Sequence, residues 1–340
     1  MHAGLDENGK RELFRDDASF DHFYSGRDRL RQRDATGEGR KLGDGTISWA
    51  RWMAADGGDE AQPDGLIAKR AVELLEGHHQ EPFFIGVGFN KPHDPFVAPK
   101  EYFDLYPKAA ISVKKDPTDR SEMVPYALPN ADTFAQFTDQ DRQEFKRAYQ
   151  ACTTFVDAQV GKIWATMDRL DLWDSTVVVL MGDHGYHLGE HGWWNKVTVF
   201  EIGARVPLMI WVPGGAQSAA PTDAIVELLD LYPTLMDYAG MAAPHPLSGK
   251  SLRPVLENPA TAWSKPAFTQ VKRPKIDMGY SVRAGDWRFT QWGVAGEGGF
   301  ELYQAEADRA GFYNLADDPA YAAVRSRLHA RLKANYPELR

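Results

Sequence analysis

Between Thr138 and Leu170 the residues Phe145, Tyr149, Cys152, Val156, Val160, Ile163, Met167 and Leu170 recur at steps of three and four. Shortly afterwards the chain enters the unbroken run Thr176-Val177-Val178-Val179-Leu180-Met181. The first pattern predicts a long helix with one apolar face, and the second a strand covered on both faces. A helix of that kind and a strand of that kind must be layered against each other. Thr138 suits an N-cap, and Asp139 and Asp141 stand in the first turn, where the helix dipole favours negative charge. Pro207–Val212 is a second apolar run. Strands alternating with helices predict an α/β fold, its sheet mixed and mostly parallel with helices flanking it.

The rest of the chain arranges itself around that pattern. Residues 1–60 are polar and rich in Gly, Asp and Arg, which predicts an irregular excursion. Asp64 is placed to cap a helix that carries Ile67, Val72, Leu74 and Leu75 and ends near Gly77. Pro82–Phe89 is expected to be a buried strand, followed by a polar turn over Asn90–Pro95. The proline-rich residues 96–137 predict a loop with short helical pieces. Asp230 and Pro233 open a helix through Tyr238, closed by Gly240. Beyond about residue 260, Ala267–Val271, Tyr280–Arg283, Trp287–Trp292 and Phe300–Tyr303 are short runs parted by Gly-rich turns. These predict a smaller antiparallel sheet, with a final amphipathic helix after Asp318-Pro319. The expected domains are an α/β core over 1–259 and an antiparallel subdomain over 260–340.

Composition narrows the function. A net charge of −9 argues against a general grip on phosphate backbones, so no nucleic-acid partner is expected. No apolar run nears the ~20 residues of a membrane helix. The opening MHAGLDENGKRELFRDD has no apolar core of the signal-peptide kind, so none is expected in this chain. The single cysteine, Cys152, excludes an internal disulfide and a multi-cysteine zinc site, and its place in the long helix predicts a small buried apolar residue.

Two segments carry chemistry. Gly182-Asp183-His184-Gly185 directly follows the β-branched run, and Lys196 stands a little further on. In open α/β sheets ligands bind outside the carboxyl ends of strands. There an Asp-His pair either offers a carboxylate and an imidazole to one metal or makes a turn with Asp183 as a cap. Lys91-Pro92-His93 follows the other expected strand; it is either a solvated turn or a cation beside a proton donor for an anionic ester. His187 and His191 are expected behind the ligands or at the surface. Trp193 and Trp194 are expected to pack, and Arg27–Arg33 to form a solvated face.

The stretch GDHGYHLGEHGWWNKVTVFEIGARVPLMIWVPG resembles the C-terminal metal-and-lysine motif of sulfatases in the alkaline phosphatase superfamily. PFFIGVGFNKPHDPFVAPKEYFDLYP is similar to their Lys-Pro-His segment, closest to the iduronate-2-sulfatase group. VELLDLYPTLMDYAG, LSGKSLRPVL and FELYQAEADRAGFYNLADDP are further likenesses, so the similarity covers roughly residues 81–340. The resemblance implies an alkaline phosphatase-like α/β fold and hydrolysis of sulfate esters, those of sulfated carbohydrate or a smaller sulfated molecule. It implies that Asp183 and His184 form half of a divalent-metal shell, usually calcium. Lys196 would contact a sulfate oxygen, and His93, with Lys91 beside it, would serve the leaving group.

The same resemblance exposes a departure. The family's paired aspartates and its Cys/Ser-x-Pro-Ser/Ala-x-Arg segment, whose first residue becomes formylglycine, have no counterpart in these 340 residues. Met1-His2-Ala3-Gly4 resembles the end of the motif that follows, which would set His2 beside the formylglycine. The expectation is therefore the C-terminal portion of a sulfatase, without the first strands of the fold and inactive by itself. A phosphodiesterase or phosphonate hydrolase of the same superfamily and a non-catalytic sulfatase-like binding protein are the alternatives. Asp183, His184, Lys196 and His93 are expected to share one cleft.

Overall fold

The computed structural model describes Gly4–Leu5, Arg11–Glu12 and residues 19–26, 34–118, 122–214 and 221–340. His2 and the run Arg27–Arg33 lie outside the described residues. The chain falls into two units, Met1–Val113 with Gln136–Leu172, and Lys114–Ala135 with Trp173–Arg340.

In the first unit Gly4–Leu5 (β1) pairs with Arg11–Glu12 (β2). Gly37–Lys41 (β3) lies antiparallel to Arg51–Ala55 (β4). The chain then crosses over through Pro63–His78 (α1) to Phe96–Pro99 (β5), which runs parallel to β4, so the sheet is mixed. Lys100–Asp104 (α2) and Asp139–Arg169 (α3) follow. Thr138 caps α3, as its sequence predicts, and the structure completes a reciprocal box with Asp141. Phe145, Cys152 and Met167 of the predicted face of α3 are buried, while Val156, Val160 and Ile163 are half-buried, and Phe96 of β5 meets Phe145 edge-on at 4.7 Å.

Three expectations for this unit need correction. Residues 34–60 are not an irregular excursion, because β4 buries Trp52 and Ala54 on one face, a period too short to stand out among polar neighbours. Asp64 does not cap α1. Gln62 occupies the cap and Pro63 the first helical position, where a missing N–H costs nothing. Pro82–Phe89 joins no ladder among the described residues, and Phe84 stands 70% exposed.

In the second unit Val178–Met181 (β6) pairs antiparallel with Leu208–Trp211 (β7), with the short Glu201–Ala204 (α4) between them. Leu231–Tyr238 (α5) and Arg253–Glu257 (α6) come next. The predicted C-terminal sheet is present: Ala267–Arg273 (β8), Asp277–Ala284 (β9), Trp287–Trp292 (β10) and Gly299–Gln304 (β11) form a meander, antiparallel throughout. Ala322–Asn335 (α7) lays Leu328 and Leu332 onto Val282, Phe289 and Leu302 of that sheet. The strand read from Thr176–Met181 is correct in kind but is not covered on both faces. Among the described residues only β7 pairs with it, and Met181, Met209 and Trp211 are about half exposed.

Candidate functional site

β6 passes the chain to Gly182, whose N–H donates to the Pro207 carbonyl (3.1 Å) beside the start of β7. The loop then folds onto α4: the Gly185 N–H donates to the Gly203 carbonyl at 3.0 Å. A Cβ at position 185 would lie 1.8 Å from the Ile202 carbonyl oxygen, so this approach requires glycine.

That path sets the orientation of His184. Its ring Nδ1 is 2.9 Å from the Gly185 carbonyl, which can only accept, so the network assigns the proton to Nδ1 and leaves a lone pair on Nε2. Nε2 lies 3.0 Å from Lys196 Nζ and 3.5 Å from Asp183 Oδ2. Asp183 also accepts from the His184 N–H at 3.0 Å, while its side chain is 85% exposed. Three residues singled out in the sequence thus meet at the carboxyl end of β6. They form a carboxylate, an imidazole lone pair and an ammonium within one side chain's reach.

One carboxylate and one imidazole nitrogen fit part of a divalent-metal shell, not all of it. Calcium takes roughly 6–8 oxygens, and among the described residues no group of three or more His, Cys, Asp or Glu side chains is arranged to hold a metal.

The segment that presents Lys196 is tightly held. The Lys196 N–H donates to Asn195 Oδ1 (2.8 Å), and the Trp193 indole N–H donates to the Lys196 carbonyl (3.0 Å). Val197 adopts φ +68°, a left-handed conformation that is strained for a β-branched residue. His187, expected behind the ligands or at the surface, is fully buried, with Nε2 2.7 Å from Thr198 Oγ1. Burial pushes its pKa down to about 3, which keeps it neutral. His191 is also buried, stacked on Phe200 and bonded through Nε2 to the Ala310 carbonyl. Trp193 and Trp194 are buried, as expected.

In the first unit the Lys91–His93 turn is organised by Asp64, whose role the sequence does not reveal. Its buried carboxylate accepts from the backbone N–H of Asn90 (3.0 Å) and of Lys91 (2.8 Å). Lys91, expected to bind the substrate anion, is buried, and its ammonium donates to the carbonyls of His93 (3.1 Å) and Pro95 (2.6 Å). The structure therefore uses it to shape the turn. His93 is 41% exposed, with Nδ1 2.6 Å from the Asp94 carbonyl, so its Nε2 is the nitrogen left to act on a ligand. Cys152 is buried in α3 and its thiol pKa is pushed up to about 12, which rules it out as a nucleophile at neutral pH.

The sulfatase family model matches residues 2–241, and the model of the N-sulphoglucosamine sulphohydrolase C-terminal region matches residues 189–337. The chain belongs to the sulfatase family. It is 30% identical over 307 residues to human iduronate 2-sulfatase, covering 68% of this chain and 56% of the human protein. Two solved structures share the fold. One is a phosphonate monoester hydrolase from Silicibacter pomeroyi, with TM-score 0.73, 24% identity, and coverage of 83% of this chain and 61% of that one. The other is the protein BT4656 in complex with its substrate D-glucosamine-2-N,6-O-disulfate, with TM-score 0.70, 20% identity, and coverage of 84% and 70%. The chain spans 56–64% of the length of the curated relatives it matches first.

Proposed function

We propose that this chain is the part of a sulfatase that binds and polarises a sulfate ester, with sulfated carbohydrate as the substrate class. The observation that supports this best is the placement of the Lys196 ammonium 3.0 Å from His184 Nε2, beside the Asp183 carboxylate. An ammonium there offsets the charge that grows on the sulfuryl oxygens as the S–O bond breaks. Asp183 and His184 are the residues that would help to hold the divalent metal, calcium in this reading. When bound, the ion would supply Lewis-acid polarisation of a sulfate oxygen. His93 is assigned the leaving-group side, where Nε2 of its imidazolium form would donate a proton to the leaving oxygen. Sulfated sugars are favoured by the iduronate 2-sulfatase relative and by the glucosamine disulfate bound to BT4656.

Attack on sulfur also needs an activated nucleophile, and Cys152 is buried with its thiol held protonated. The proposal therefore takes the nucleophile to be a formylglycine that these 340 residues do not carry. The likeness to a phosphonate monoester hydrolase supports a second reading, cleavage of a phosphorus ester at the same Asp183–His184 pair. Both readings are tested by assaying the 340-residue chain, with excess calcium, beside a polypeptide extended by a formylglycine segment, using matched aryl sulfate and aryl phosphodiester substrates. Turnover of the sulfate by the extended protein alone is expected. Faster turnover of the diester would replace the first reading with the second, and hydrolysis by the short chain that Asp183→Ala abolishes would overturn the proposed nucleophile.

A further inference from the structure

Arg273, the last residue of β8, is 2% exposed, yet among the described residues no carboxylate lies within ion-pair distance of it. Among the described residues its guanidinium donates only to backbone carbonyls: Nε to Tyr126 (2.7 Å), Nη1 to Lys272 (3.0 Å), and Nη2 to Ala127 (3.0 Å) and Val197 (2.9 Å). Beneath it lies the face of Trp292, 5.2 Å away, and the Trp292 indole N–H is in turn fixed by Glu301 Oε2 at 2.7 Å. Burying a cation without a direct counter-ion is costly. The carbonyl contacts offset part of that cost, and the contact with Val197 adds a role beyond stability.

Val197 follows Lys196 and holds φ +68°, a conformation that its branched side chain disfavours. The carbonyls on either side of that strained residue are both captured: that of Lys196 by the Trp193 indole, that of Val197 by Arg273. If Val197 relaxed to negative φ, the adjoining peptides would turn and carry the Lys196 ammonium away from His184.

We propose that Arg273 is a positioning residue, which locks the strained Val197 peptide so that Lys196 stays directed at the Asp183–His184 pair. This rests on the reading of Lys196 as the group that meets the substrate anion. It adds that the C-terminal sheet, through one side chain 76 residues away, sets the aim of that lysine.

The test separates positioning from bulk stability. Arg273→Met also loses the bonds to Tyr126 and Ala127, so it destabilises the chain whatever else it does. Val197→Gly removes the strain, because glycine accepts positive φ at no steric cost. Crystal structures of the 340-residue chain are compared for the unsubstituted protein, R273M and R273M/V197G. The expected result is Lys196 Nζ beyond hydrogen-bond reach of His184 in R273M and back near 3.0 Å in the double variant. The melting temperature stays low in both variants. An unmoved Lys196 in R273M, or a double variant that fails to restore it, overturns the proposal. Where R273M does not fold, R273K provides the same comparison, since one ammonium cannot reach all these carbonyls. In the extended, formylglycine-bearing protein, R273M should lower kcat/KM at least about tenfold, and V197G should recover most of it, in line with the cost of a misplaced catalytic group. No turnover by the unsubstituted extended protein would count against the sulfatase reading alone, since the crystallographic comparison decides the positioning role independently.

Discussion

Replacing Glu301 by glutamine should remove a pH dependence of stability that the wild-type chain carries. Glu301 is 1% exposed in β11, where it accepts from the Trp292 indole N–H and the Tyr303 hydroxyl, each at 2.7 Å. Burial raises its pKa from 4.5 to about 7, with those two bonds and the positive charge of Arg273 pulling the other way. Between these values the folded chain holds a proton that the unfolded chain has released, so stability falls as pH rises. The contribution is complete below the unfolded pKa of 4.5 and gone above the folded pKa of about 7. A shift of roughly 2.5 units at ~1.36 kcal/mol each gives about 3 kcal/mol, or roughly 6–12 °C in Tm for a unit of this size. Glutamine fills the same space and titrates nowhere in this range. Thermal unfolding of both proteins, followed by near-UV circular dichroism from pH 4.5 to about 8, should show wild type losing that margin relative to Glu301→Gln. A Tm difference that stays constant across the range would refute the reasoning.

Three further outcomes follow from the structure. Glu201→Ala leaves Arg288, bonded to Glu201 at 2.7 Å and 5% exposed, without its counter-ion; denaturant unfolding should show a loss of about 3–5 kcal/mol. The Cys152 thiol, buried and with its pKa pushed up to about 12, should resist iodoacetamide in the native chain and react on unfolding, which mass spectrometry reads directly. In the extended protein Lys196→Ala should lower kcat on an aryl sulfate by roughly 10²–10³-fold. The far-UV circular dichroism of that variant should be unchanged, because among the described residues the Lys196 side chain bonds only to the exposed ring of His184.

The sequence alone determined the elements whose signal is local. The apolar spacing and the Thr138 cap define α3, and the short runs parted by glycines define the antiparallel sheet, because side-chain periodicity and capping depend on near neighbours. The Asp183-His184 pair was visible for the same reason, since it directly follows the β-branched run. Tertiary structure decided the rest. Asp64 looks like a helix cap and in fact holds the backbone of Asn90 and Lys91; Lys91 looks like an anion ligand and is turned inward onto carbonyls. β6 has the composition of a doubly covered strand, yet its exposure depends on which other segments pair with it. The contact between Arg273 and Val197 leaves no trace in either local sequence. A hydrogen bond between a guanidinium and a carbonyl 76 residues apart depends on where the backbone brings them, and residue type carries no record of a distant partner.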